Sequence, residues 1–145
     1  MGRRTFDDMS LEVPDTWLNA SVITMVGLGS TRLQPTVVIT REEAPQGTLE
    51  RYVKGLLPDI QRHLRRHRLL SQGPAKVGSS PAFALEHGFE TPEGVAARQK
   101  QLYFVHGEDL VVLALTCAEA EHAMFGAQLE AIAESVRLQP RKSAS

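Results

Sequence analysis

One cysteine in 145 residues, Cys117, leaves no internal disulfide to be made and points to a reducing compartment. No apolar run approaches the ~20 residues that a membrane-spanning helix needs. The start of the chain, Met1 to Asp8, is basic for two residues and then acidic, without the apolar stretch of a secretory signal. Phe6 stands where N-myristoylation would need a serine or threonine. A cytoplasmic protein is therefore expected. The formal net charge is only -1, so there is no overall electrostatic case for nucleic acid or an acidic membrane surface.

Motifs that carry chemistry are equally sparse. His63 and His67 are four apart, a spacing that chelates metals on a helix, but no third ligand stands nearby and arginines flank both. The run Arg62 to Arg68 lacks the interleaved aromatics of a nucleic-acid surface. Gly27 and Gly29 lack the third glycine of a phosphate-binding loop. Cys117 has no nucleophile motif around it and reads as a core thiol. His87 and His106 sit among apolar residues, as satisfied buried histidines do. No catalytic residue, metal or cofactor is expected, and no enzyme.

What the chain does contain is strands. Phe6–Val13, Ser21–Val26 and Thr36–Arg41 read as the first three, broken by Pro14-Asp15 and by Gly27 to Ser30. Thr48 is a good N-cap for a first helix, whose apolar stripe is Leu49, Val53, Leu56, Leu57, Ile60 and Leu64. Pro58 predicts a kink or restart within it. Strands over Leu69–Val77, Ala82–Glu90, Val95–His106 and Leu110–Thr116 follow, joined by turns too short for anything but antiparallel pairing. A last helix runs from Glu119 to Ser135, with Phe125, Leu129, Ile132 and Val136 as its stripe. The expected fold is α+β: a twisted antiparallel sheet of about six to seven strands with two helices packed on one face. It occupies 1–138 as a single domain, ahead of a flexible tail over 139–145.

The segment Leu110-Val111-Val112-Leu113-Ala114-Leu115 has no polar side. A strand over a one-sided core alternates apolar and polar residues, whereas a continuous apolar run signals burial on both faces. If both helices lie on one face, Leu56, Ile60, Phe125, Leu129 and Ile132 cover that face. The other face then requires a second subunit, a client or the protein's own loops.

The stretch Leu11-Glu12-Val13-Pro14-Asp15-Thr16-Trp17 resembles the opening of the DcrB-like branch of the Mog1/PsbP-like fold, and the chain is similar to the Eag-type chaperones of bacterial type VI secretion. Lys100 to Val105 looks like that family's long strand, and the order of elements agrees throughout. The resemblance implies a cytosolic homodimer, without enzymatic activity, that shields transmembrane helices of a secreted effector in a concave apolar sheet surface. By position, the client-binding residues it implies are Val22, Thr24 and Gln101. Thr24 stands where the family tends to have an aliphatic residue. The wider fold offers the alternative of a module that recognises a folded partner.

Overall fold

In a computed structural model, residues 33–137 are described throughout, and residues 2–6, 9–13 and 23–26 as backbone strands. The elements are β1 (Gly2–Phe6), β2 (Met9–Val13), β3 (Ile23–Val26), β4 (Thr36–Glu43), α1 (Leu49–His63), β5 (Arg65–Val77), β6 (Ser80–Glu90), β7 (Ala96–His106), β8 (Asp109–Ala118) and α2 (His122–Glu134), with a 3-10 turn at Glu119–Glu121 before α2. The main sheet is antiparallel in the order β3-β4-β8-β7-β6-β5. The expected strand count narrows: the five long strands β4 to β8 build the body, and the four-residue β3 lies along the edge beside β4. The stretch expected as one strand over Phe6–Val13 divides into parts of two, β1 and β2, which pair with each other outside this sheet. The Pro14 to Trp17 turn and the Gly27 to Ser30 break lie outside the described residues.

The two helices do not share a face. Val53, Leu56, Leu57 and Ile60 of α1 pack with Phe83 and Leu85 of β6, Tyr103 of β7, and Leu110 and Val112 of β8. Phe125, Leu129 and Ala133 of α2 pack with Ala82 and Ala84, Leu102 and Phe104, and Val111, Leu113, Leu115 and Cys117. On every one of these strands the two sets alternate residue by residue. Successive strand residues point to opposite faces, so α1 and α2 lie on opposite sides of the sheet. This corrects the expected two-on-one packing and explains β8, an interior strand that meets a helix on each side. Leu110 is fully buried against α1 and Leu113, at 2% exposure, lies in the core under α2. Ile132 is not a core contact as expected: it is 38% exposed, and Leu129 and Ala133 are the buried residues of α2.

Local chemistry accounts for the helix ends. Thr48 Oγ1 accepts from the Arg51 backbone N–H at 3.2 Å and caps α1, while Lys54 and Glu50 pair across one turn at 2.8 Å. The expected kink or restart at Pro58 does not take the form of a restart: α1 runs through it to His63. Pro58 and Lys54 are both exposed, so the carbonyl that loses its partner is on a hydrated side. The chain then enters β5 with no loop: Leu64 closes α1, and Arg66 takes φ 51° beside a register shift between Arg65 and Arg68. Gly78, at φ 59°, turns β5 into β6, and a Cβ there would lie 2.6 Å from the Val136 carbonyl oxygen.

Leu110→Ala and Leu113→Ala are each expected to lower stability by about 2–5 kcal/mol, read from urea unfolding midpoints. If either substitution cost under about 1 kcal/mol, two-sided burial of β8 would be wrong. Gly78→Ala is expected to cost about 1–3 kcal/mol from backbone strain and the close carbonyl. Gly73→Ala, with nothing within 4 Å of the added Cβ, is expected to stay within about 0.5 kcal/mol.

Candidate functional site

The α1 side of the sheet changes character along β8. Leu110 is buried under α1, Val112 and Ala114 are partly exposed, and Thr116 follows. Among the described helices, only α1 packs on this face, and it covers one end. Strand register lays two further rows across this face, the second of which ends under α1 at Leu85. One runs Thr36, Thr116, Gln99, His87; the other runs Val38, Ala114, Gln101, Leu85. Thr24 is the Cα partner of Val38, so its backbone continues the second row to the sheet edge. Two of the three residues singled out from the sequence, Thr24 and Gln101, thus fall on one row. Val22 lies outside the described residues.

A directional hydrogen-bond ladder joins these rows. Gln99 Nε2 donates to Thr116 Oγ1 at 2.9 Å, so Gln99 Oε1 is the acceptor for both its other neighbours. Gln101 Nε2 donates to it at 2.9 Å, and His87 Nε2 lies 2.8 Å away. That assigns the Nε2–H tautomer to neutral His87 and leaves its Nδ1 as the acceptor for His67 Nε2–H, at 2.8 Å. From the other side, Tyr103 donates its hydroxyl to Gln101 Oε1. Gln101 is therefore held at both ends of its amide. It keeps one N–H and one lone pair to offer, on a side chain that is only partly buried. His87, fully buried, has partners on both ring nitrogens and stands edge-on to His67 with centroids 4.9 Å apart.

The ladder is uncharged. Burial lowers the pKa of His67 and, as the main cause, that of His87, which His67 lowers further and the Gln99 hydrogen bond partly offsets. Burial and the Glu42 carboxylate push Tyr52 up to about 12, and Tyr103 rises to about 12 from burial with the influence of Tyr52 and Glu42. Tyr52 donates to Glu42 at 2.5 Å and stands edge-on to Tyr103, closing the α1 end of the face.

The opposite face carries the ion pairs. Arg98 bonds Glu86 at 3.1 Å and approaches Glu119 at 3.7 Å, Lys100 bonds Glu130 at 2.6 Å, and His122 lies 3.9 Å from Glu86. Cys117 lies beneath this cluster at 1% exposure, its thiol pKa raised by burial and then by Glu119. Its place in the core is the one its sequence context indicated. The His63–His67 metal spacing presumed a continuous helix, but α1 ends at His63 and His67 belongs to β5. His63 Nδ1 instead lies 2.7 Å from the Asp59 carbonyl oxygen. No group of three His, Cys, Asp or Glu side chains among the described residues is placed to hold a metal. No helix of the described residues is long and apolar enough to cross a membrane.

Gln99, Tyr103, Thr116 and the His67–His87 pair were not anticipated as one site. The signal for them is the period-two series Gln99, Gln101, Tyr103 on β7, opposite apolar Leu102 and Phe104. Polar residues at core parity need partners across the strand, and those partners become visible only with the register.

Because folding lowers the pKa of both histidines, the unfolded chain binds more protons below its own histidine pKa of about 6.5. The stability they contribute is complete above that pH and is lost as pH falls from there toward the folded-state values. The urea midpoint is therefore expected to drop between pH 7 and pH 5, and to drop less in His67→Gln. An equal drop in that variant would show that the pair is not responsible. Cys117 is expected to resist thiol reagents in the native protein and to react on unfolding.

No curated protein matches this chain by sequence. Among solved structures it is similar to PA94 of Pseudomonas aeruginosa, a protein of unknown function, with a TM-score of 0.80 at 17% identity, covering 97% of this chain and 99% of that one. The cyanobacterial PsbP protein CyanoP, from Synechocystis, is similar at a TM-score of 0.55 and 14% identity, over 81% of this chain and 82% of that one. At these identities the likeness is one of fold, and it places the chain with PsbP-like α+β structures. The DcrB family model matches residues 9–135, nearly the whole of the chain, and the protein belongs to the DcrB family.

Proposed function

We propose that the protein is a non-catalytic binding adaptor whose docking surface is the α1-side face beyond α1. The observation that carries this reading is the pair of cross-strand rows there: Val38 and Ala114 partly exposed beside an uncharged amide seam. Among the described residues the ion pairs of β6 and β7 lie on the other face, and the carboxylate on this one, Glu42, is bonded to Tyr52 at the α1 end. A surface that is apolar, uncharged and able to make a few fixed hydrogen bonds suits an apolar helix with an occasional polar side chain. Covering ~400 Å² of such a surface is worth roughly 10 kcal/mol before entropic costs.

The finer form of the proposal is a cytoplasmic chaperone, working as a homodimer, that shields apolar transmembrane helices of a type VI effector before export. It rests on the resemblance of the chain to Eag-type proteins and on the chemistry of this face. The polar share of the face, with Gln99, Gln101, Thr36 and Thr116 in it, favours the second reading, a module that recognises the surface of a folded partner.

Co-expression with an N-terminal effector fragment that contains its apolar helix separates the two. Under the chaperone reading the fragment is soluble only with this protein. Ala114→Arg on the docking face is then expected to abolish co-purification, and Ile132→Glu on the outer side of α2 to preserve it. A fragment equally soluble alone would end the chaperone reading. Capture of a soluble globular protein, lost with Ala114→Arg, would establish the second.

A further inference from the structure

We propose that the His67–His87 pair makes this docking face proton-sensitive: an apolar helix lies on the Gln99–Gln101 seam only while the pair is uncharged, and proton uptake releases it. The inference rests on the docking reading above and adds its regulation.

The geometry gives the pair room for one proton and no more. With both rings neutral, His67 Nε2–H donates to His87 Nδ1 and His87 Nε2–H donates to Gln99. A first proton goes to the outward Nδ1 of His67 or, with a change of tautomer at His67, to His87 Nδ1. Either way the link between the rings survives and the pair becomes a cation. A second proton would set two N–H donors against each other at 2.8 Å.

Among the described residues, no carboxylate forms an ion pair with either ring of the pair. The charged and titratable groups on the elements around it are His63 at the end of α1, Arg65, Arg66 and Arg68 on β5, Tyr103 on β7, and Tyr52 with Glu42 at the far end. β8 presents Thr116, which does not titrate. Glu86 and Glu90 of β6 alternate to the opposite side, where they hold Arg98 and the Arg65–Arg66 corner. Arg68 lies on that opposite side too, beside Gly88.

The seam lies within reach of anything docked on Gln101. Rows two residues apart on a strand are separated by about 6–7 Å, while a helix with its side chains is about 10 Å wide. A helix over the Val38–Ala114–Gln101 row therefore overlaps the Thr36–Thr116–Gln99 row, whose next member is His87. His87 is already fully buried, so an apolar helix seated there acts on the half-buried His67, excluding water from it and raising the cost of a charge on the pair. By linkage, protonation must then weaken docking by the same factor.

The test uses a fluorescent, lysine-flanked leucine–alanine helix of about 20 residues with one central asparagine. With both ends blocked, its charges do not change between pH 7.5 and pH 5.0. Binding to the whole chain is followed by anisotropy, alongside NMR of the side-chain amides of Gln99 and Gln101 and of the imidazoles. Wild type is expected to bind about tenfold more weakly at pH 5.0 than at pH 7.5, the factor that one pKa unit of linkage carries. His67→Gln is expected to reduce that ratio to within about twofold. His122→Gln, on the opposite face, is expected to keep it. An unchanged ratio in His67→Gln, or none in wild type, overturns the inference. If the peptide binds at neither pH, the docking reading fails. The proton coupling is then decided by whether the amides of Gln99 and Gln101 shift with the imidazole midpoint: movement supports it, and no movement overturns it.

Discussion

The alternation of side chains along β8 is the constraint on which the rest of this fold depends. A strand has two faces and no others, so six consecutive apolar residues must find cover on both. Leu110 and Val112 find it under α1; Val111, Leu113 and Leu115 find it in the core beneath α2. Placing one helix on each face satisfies the strand with few elements, and it fixes where helical cover ends among the described residues. On the α2 side the apolar series continues through Cys117. On the α1 side it passes from Leu110 through Val112 and Ala114 to Thr116, and the helix does not follow it.

The two faces differ in charge as much as in cover. The α2 side is laced with ion pairs that water and salt weaken, of the sort that contribute little each. The α1 side, beyond the helix, holds an uncharged ladder in which each amide is oriented by its neighbours. Buried or half-buried polar groups carry a cost unless they are paired, and here they are paired in one direction from His67 to Gln99 and from Tyr103 to Gln101. A neutral, oriented and partly open surface of this sort is suited to holding another apolar element, and the DcrB-family assignment is compatible with such a role.

Much of the fold was legible because its signals are local. The turns at Thr91–Gly94 and Gly107-Glu108, the cap at Thr48 and the apolar stripe of α1 all lie within a few residues of what they specify. The placement of α2 was not, because α1 and α2 are separated by four strands and either handedness of return satisfies the same stripe. The assumption that both helices shared one face made β8 look uncovered, when the parity of Phe83 and Leu85 against Ala82 and Ala84 already held the answer. Pro58 produced no restart for a different reason: its helix-breaking cost depends on whether the lost carbonyl is hydrated, which only exposure reveals. Of the candidate site, Gln101 was visible through its resemblance to a family position, and His87 as a satisfied core histidine. Their connection through Gln99 required the register.

Methyl-resolved nuclear Overhauser contacts test the two-sided packing of β8 most directly. The account predicts contacts from Leu110 to Val53 of α1 and from Leu113 to Leu129 of α2, with neither leucine touching the other helix. Contacts from one of these leucines to both helices, or from Leu110 to Leu129, would contradict it.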